Sequence, residues 1–217
     1  MKKIIDAVLK EKLVVIVRGV KNSKLLPLAE AMYKGGIRLL ELTYDNSGKV
    51  TDRETAENIK MLKDHFGDKM FIGAGTVTAV SQVELTKAAG GQFIISPDTD
   101  PEVIKKTKEL EMVSMPGALT PSEIKIACKS GADFVKLFPI SSLGPDYVKA
   151  VKAPLSNVKL LAVGGITENN MADYLKSGVC GFGVGSNIVK MSMIDNNDYA
   201  GITALAKKYV AIVGGNQ

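Results

Sequence analysis

The sequence predicts a single-domain α/β protein spanning 1–217, a (β/α)8 TIM barrel preceded by a short N-terminal helix, and three observations predict it. Short, almost uninterrupted apolar runs recur eight times. Each is followed by a segment with apolar residues at helical spacing, and Gly-Gly pairs or prolines mark the changes between them. No linker or low-complexity stretch divides the chain. Apolar strands joined by helices signal a parallel sheet covered on both faces, and eight such units signal closure into a barrel. An open, doubly wound sheet is the alternative, but no Gly-rich turn follows the first strand.

The elements follow in order. Ile4, Ile5, Val8 and Leu9 give a leading helix over 3–11, and Leu13–Val17 is the first strand. A helix from Ser23 carries Leu25, Leu26, Leu28, Ala29 and Met32 and stops at Gly35-Gly36; the second strand runs Ile37–Thr43. Tyr44 to Val50 is the longest irregular stretch. Thr51 or Asp52 caps the next helix, and Phe71–Gly75 is the third strand. Ser81–Ala89 is helical and leads to the strand Phe93–Ser96; Pro101 opens a helix that returns to the strand Met112–Met115. Pro121 opens the helix before the sixth strand, which contains Lys136, and Pro145 the helix before Lys159–Val163. The helix Glu168–Lys176 precedes the eighth strand, Cys180–Val184, and a last helix runs from Tyr199 to Val213.

Composition narrows the function. Hydrophobic residues make up 46% and charged residues 24% of the chain, as in an ordinary globular protein. The net charge of +5 comes from dispersed lysines and three arginines, Arg18, Arg38 and Arg53. That pattern disfavours nucleic acid, which is gripped by clustered basic residues, and suits a small anionic substrate. Cys128 and Cys180 read as free thiols in apolar settings of a reducing cytoplasm. No apolar stretch is long enough to cross a membrane, and Met1 to Lys12 lacks the core of a signal peptide. The expected location is cytoplasmic.

The chemistry starts at Asp133-Phe134-Val135-Lys136-Leu137-Phe138-Pro139. Alternation puts Phe134, Lys136 and Phe138 on one face, so Lys136 is a lysine inside an apolar strand. A buried ammonium loses its proton readily, and the neutral amine attacks carbonyls. The bland alternative is a lysine that snorkels to the strand end. Barrel active sites lie at the C-terminal ends of the strands, and there the sequence offers Arg18, Glu41 with Thr43, Thr76, Ser96-Pro97, Pro116-Gly117, Lys136 with Phe138, Gly164-Gly165, and Gly185-Ser186. Glu41, within Leu39-Leu40-Glu41-Leu42, is a second ionisable group in an apolar run and suits acid–base work beside the lysine. The small residues closing the seventh and eighth strands suit a phosphate held by backbone N–H groups. Zinc is disfavoured because the one histidine, His65, reads as a surface helix end. A magnesium site at Asp98 and Asp100 competes with the simpler reading that they cap the helix at Pro101. No cofactor is expected.

These strand ends resemble the class I 2-keto-3-deoxy-6-phosphogluconate and 4-hydroxy-2-oxoglutarate aldolases. The resemblance covers most of the chain, through Val14–Arg18, Leu40–Thr43, Gly73–Val77, Ile95–Pro97, Met115–Gly117, Lys136–Pro139, Val163–Ile166 and Gly185-Ser186. It implies a homotrimeric lyase cleaving a 2-keto-3-deoxy sugar acid to pyruvate and an aldehyde. Lys136 would form the Schiff base and Glu41 would shuttle protons through water. Thr76 and Pro97 would line the pyruvate side, Phe138 would pack beside the imine, and Gly164, Gly165 and Ser186, with Gly185 beside them, would hold the phosphate. Two positions depart from the family. Asp45 stands where an arginine commonly faces the substrate carboxylate, which leaves Arg18 or Arg53, on a loop expected to be long, to compensate; Arg18 is the better placed. Val163 replaces the usual threonine before the double glycine. A paralogous aldolase for a related 2-keto-3-deoxy acid, phosphorylated or not, and a phosphate-binding barrel without turnover are the competing readings.

Overall fold

The computed structural model describes residues 1–214; the last three residues of the expected domain lie outside them. Helix α1 (Lys2–Glu11) leads, followed by β1 (Leu13–Val17), α2 (Asn22–Lys34), β2 (Leu39–Thr43), α3 (Asp52–Phe66), β3 (Phe71–Gly75), α4 (Val80–Ala88) and β4 (Phe93–Ile95). Then come α5 (Pro101–Glu109), β5 (Val113–Met115), β6 (Gly117–Ala118), α6 (Pro121–Ser130), β7 (Val135–Leu137), α7 (Gly144–Lys152), β8 (Leu160–Val163), α8 (Met171–Lys176), β9 (Gly181–Val184), α9 (Met191–Asp195) and α10 (Tyr199–Gly214). Every pairing is parallel, in the order β5-β4-β3-β2-β1-β9-β8-β7-β6.

The described residues form nine strand segments rather than eight, because the fifth barrel position is broken at Pro116. Proline has no N–H to donate to a ladder. β5 therefore pairs with β4 and β6 with β7. Backbone bonds from Phe134 to the Ser114 carbonyl (3.2 Å) and from Lys136 to the Pro116 carbonyl (2.9 Å) carry the closure across the break. Asp133 fixes this register with its side chain, which accepts from the Ser114 N–H (2.9 Å) and from Lys108 (2.6 Å).

Helix starts follow their caps. Thr51 and Thr120 form capping boxes with Glu54 and Glu123, and Asp100 accepts from the N–H groups of Glu102 and Val103 ahead of α5. Asp98 has no part in that cap. Two expectations shift: α8 starts at Met171, since Thr167 and Asn170 form a turn before it, and the short α9 carried too little periodicity to be anticipated.

The core has two shells. Val15, Leu40, Ile72, Val135, Leu137 and Ala162 face the helices. Val14, Leu39, Phe71, Phe93, Phe134 and Leu161 fill the barrel floor, which Ile4 and Val8 of α1 help to plug. Each such large apolar side chain is worth about 1.5–3 kcal/mol of burial, so the floor is a rigid base beneath the polar positions of the next layer. No helix of the described residues is long and apolar enough to cross a membrane.

Candidate active site

Strand alternation brings Lys136 and Glu41 inward. Lys136 lies in the middle of β7, paired with Gly117 on one side and Leu161 on the other, and is 7% exposed. Burial pushes its pKa below the ordinary lysine value; Glu41 and Asp98 act against that fall and Arg18 adds to it. Its Nζ lies 4.5 Å from the centroid of the Phe138 ring. The snorkelling alternative is thereby excluded, since the amine stays in the barrel.

Glu41, 2% exposed on β2, is the second buried charge. Burial raises its pKa to about 7, against the opposing pull of Lys136 and Arg18. Its Oε2 is buried with no hydrogen-bond partner. The two side chains line one narrow cavity with Ile16, Ile95, Val163 and Phe182. An amine held toward its neutral form and a carboxyl poised to exchange a proton near neutral pH, both in apolar surroundings, can perform nucleophilic addition to a carbonyl with proton transfer.

Arg18 and Thr76 meet at the mouth, where the guanidinium donates to Thr76 Oγ1 at 2.8 Å. Thr76 adopts φ +56°, a left-handed conformation that a β-branched residue resists. Such strain is tolerated where the surroundings over-determine it, and it clusters at ligand sites. Pro97 follows β4 beside the buried Ser96.

Asp45 lines the same pocket as Arg18 and Thr76, but its oxygens are engaged within its own loop. Oδ1 accepts from the Ser47 N–H (2.9 Å) and Oγ (2.7 Å), and Oδ2 from the N–H groups of Lys49 and Val50 (3.0 Å each). These bonds hold its carboxyl below the usual carboxylate range. The residue organises its own loop, whose base is clamped by the buried Tyr44 through bonds to the Gln82 carbonyl and Thr86. Arg53 does not extend the loop as expected: it sits exposed in the first turn of α3, because Thr51 already caps the helix. Arg38 donates to the Tyr33 and Ile37 carbonyls at the strand's other end.

On the opposite side of the mouth, Gly164 (φ +100°) and Gly165 (φ +68°) follow β8 in backbone conformations that favour glycine. Gly185 follows β9, and its carbonyl accepts from the N–H groups of Ile188 and Val189, so Ser186 opens a turn. Asn187 ties the two loops together by donating to the Ile166 carbonyl at 2.6 Å. Val163 points elsewhere, into the central cavity, and so lies away from these loops.

Among the described residues no group of three or more His, Cys, Asp or Glu side chains is placed to hold a metal, and His65 pairs with Glu30 on the surface. Cys128 is exposed, against the apolar setting expected of it, and Cys180 half-buried; both are free. Sequence reasoning missed Asp98 as a charge acting on Lys136, because its nearness to Pro101 suggested capping instead.

A sequence model of the KDPG and KHG aldolases matches residues 4–205. The chain is 35% identical over 206 residues to a probable 2-dehydro-3-deoxy-6-phosphogalactonate aldolase of Rhizobium meliloti, covering 94% of each chain. It is 32% identical over 198 residues to the 2-dehydro-3-deoxy-6-phosphogalactonate aldolase of Escherichia coli, covering 91% of this chain and 94% of that one. A crystal structure of KDPG aldolase from Legionella pneumophila, with pyruvate captured as a covalent carbinolamine, superposes with a TM-score of 0.84 at 30% identity over 94% of this chain and 96% of that one.

Proposed function

Because the chain belongs to the KDPG and KHG aldolase family, we propose that it cleaves a 2-keto-3-deoxy-6-phospho sugar acid reversibly to pyruvate and a phosphorylated aldehyde through a Schiff base on Lys136. The protein is a class I lyase. The observation that carries the site assignment is the pair of buried, oppositely shifted groups Lys136 and Glu41 in one cavity.

Neutral Lys136 attacks the C2 keto carbon, and the carbinolamine loses water to give a protonated imine. The face of the Phe138 ring stabilises that cation. Removal of the C4 hydroxyl proton sends the C3–C4 bonding electrons into the imine, and the aldehyde departs. The enamine left behind takes a proton at C3, and hydrolysis returns pyruvate and free lysine. Glu41 handles these protons through water, in keeping with its raised pKa and its unpartnered oxygen. Arg18 and Thr76 receive the carboxylate, with Pro97 beside them, and the backbone of Gly164, Gly165, Gly185 and Ser186 receives the phosphate.

A second substrate reading has its own support. The two relatives above are named for the galactonate acid, and the family departures line the site, Asp45 at the mouth and Val163 in the cavity of Lys136 and Glu41. The gluconate and galactonate acids differ in configuration at C4, next to the bond that breaks. Retro-aldol rates on both acids and on their unphosphorylated forms decide the substrate; activity indifferent to phosphate removes the proposed role of the glycine loops. Trapping with pyruvate and borohydride should add mass at Lys136, and an unmodified lysine would reject the mechanism. Lys136→Ala should abolish pyruvate release, which separates an aldolase from a binding barrel.

A homotrimer and a cytoplasmic location belong to the same proposal. The exposed Ile126 and Leu143, on α6 and ahead of α7, supply apolar surface for self-association. The free thiols and the phosphorylated substrate suit the cytoplasm. Light scattering that finds one chain mass in solution rules the trimer out.

A further inference from the structure

Glu41 presents a mechanical problem. A carboxylate that manages protons must be held in place, yet its Oε2 has no hydrogen-bond partner and apolar side chains wall the cavity around it. Its orientation must come from shape. Facing it is the last residue of β3, Gly75, in the strand paired with β2 so that Glu41 lies opposite Gly73 and Thr43 opposite Gly75. A methyl group built on Gly75 would overlap Oε1 of Glu41 and lie 2.6 Å from its carboxyl carbon and 3.2 Å from Oε2. All three of the nearest atoms belong to Glu41. The glycine is not there for its backbone, since its φ lies outside the left-handed range, and its carbonyl accepts from Tyr44 as any residue's would (2.9 Å).

We propose that Gly75 is a positioning residue for the reaction: the side chain it lacks is the seat into which the Glu41 carboxylate fits, facing the Lys136 amine. This rests on the reading of Glu41 as the proton carrier. A methyl in the seat meets the Glu41 carboxylate first, ahead of any other residue outside its two chain neighbours, and drives it into the cavity. Proton transfer tolerates little displacement of donor from acceptor, so the loss should appear in kcat rather than in KM.

The test is a cycle of Gly75→Ala, Glu41→Ala and the double variant, read as kcat, KM, their pH dependence and melting temperature. Gly75→Ala should lower kcat by about 10–100-fold with KM changed less than about threefold. It should also move the limb near pH 7 that Glu41 sets, and leave pyruvate trapping at Lys136 intact. In the Glu41→Ala background, where no carboxylate remains to displace, the same methyl should have no further effect, a complete failure of additivity. Equal losses in both backgrounds, or wild-type kcat in Gly75→Ala, overturn the proposal. If Glu41→Ala itself keeps full activity, the underlying reading of Glu41 fails instead. Should Gly75→Ala not fold, the double variant must recover folding; if it does not while Glu41→Ala folds, the methyl meets something other than Glu41 and the proposal is rejected.

Discussion

The two halves of the barrel mouth are built by different means, and in the proposed function they recognise by different means. The half built on β1–β3 works with side chains: Arg18 bonded to Thr76, Glu41 in its notch, Asp45 tied into its own loop. The half built on β8 and β9 works with backbone, through Gly164, Gly165, Gly185 and the turn at Ser186. Lys136 stands on β7, next to β8, and Phe138 directly follows that strand. On these proposed roles, charge and proton chemistry would sit on one side and shape-based anion binding on the other. The first side should be sensitive to changes of functional group, and the second to any added side chain whatever its chemistry.

Substitutions can break or sharpen this contrast. The largest effect belongs to β7. Lys136→Ala should reduce retro-aldol cleavage by at least about 10⁴-fold and abolish borohydride trapping on every substrate, a loss neither half can compensate.

Next, Glu41→Gln should lower kcat by about 10²–10³-fold. In the wild type, kcat/KM should rise through about pH 7 as the Glu41 carboxylate forms; the variant should lack that limb. Stability should move the other way. The folded pKa of Glu41 lies above the ordinary 4.5, so the folded state holds a proton that the unfolded chain gives up. Stability is thus present below about pH 4.5 and lost as the pH rises through about 7. The Gln variant escapes this loss, worth at most about 3 kcal/mol, and should melt above the wild type at pH 8 but not at pH 4. Equal melting temperatures at both pH values would falsify the buried, raised carboxyl.

On the backbone half, Gly165→Val should raise KM for a phosphorylated acid by about 10–100-fold. The new side chain strains a φ of +68° and crowds the Ser141 Cβ, 2.6 Å from a built Cβ. Unphosphorylated analogues should be unaffected, and an equal loss on both substrates would erase the contrast between the halves. The smallest effect is expected at Asp45. Asp45→Ala frees the N–H groups of Ser47, Lys49 and Val50, so their hydrogen exchange should accelerate while KM rises only about threefold. Had the carboxylate opposed the substrate directly, KM would fall instead.

Much of this was legible in the sequence. Period and punctuation located the eight expected strands within two residues of their observed ends, though not the short β6, because apolar β-runs and Gly or Pro boundaries are local signals. Lys136 and Glu41 were visible as charges in the wrong surroundings. What stayed hidden depended on contacts between distant segments. Pro116 splits a strand position only because its neighbours need an N–H that proline lacks, and nothing in Met115-Pro116-Gly117 says which neighbour. Asp45 read only as the loss of a family arginine, whereas its oxygens accept from three N–H groups and a hydroxyl two to five residues along. Gly75 looked like one more strand glycine; its importance lies in the carboxylate of β2.

The bond between Arg18 and Thr76 has a kinetic consequence. An arginine free in solution explores many rotamers, and a ligand that captures it bears the ordering cost, roughly 0.5–1.5 kcal/mol for such a side chain. Here the guanidinium is already moored on a threonine whose own backbone is bent to receive it. In the proposed role of Arg18, an arriving carboxylate would exchange one oxygen partner for another, and Thr76 would stand ready to take the arginine back when pyruvate leaves. The contact that readies the pocket for substrate would then also receive the arginine as product goes.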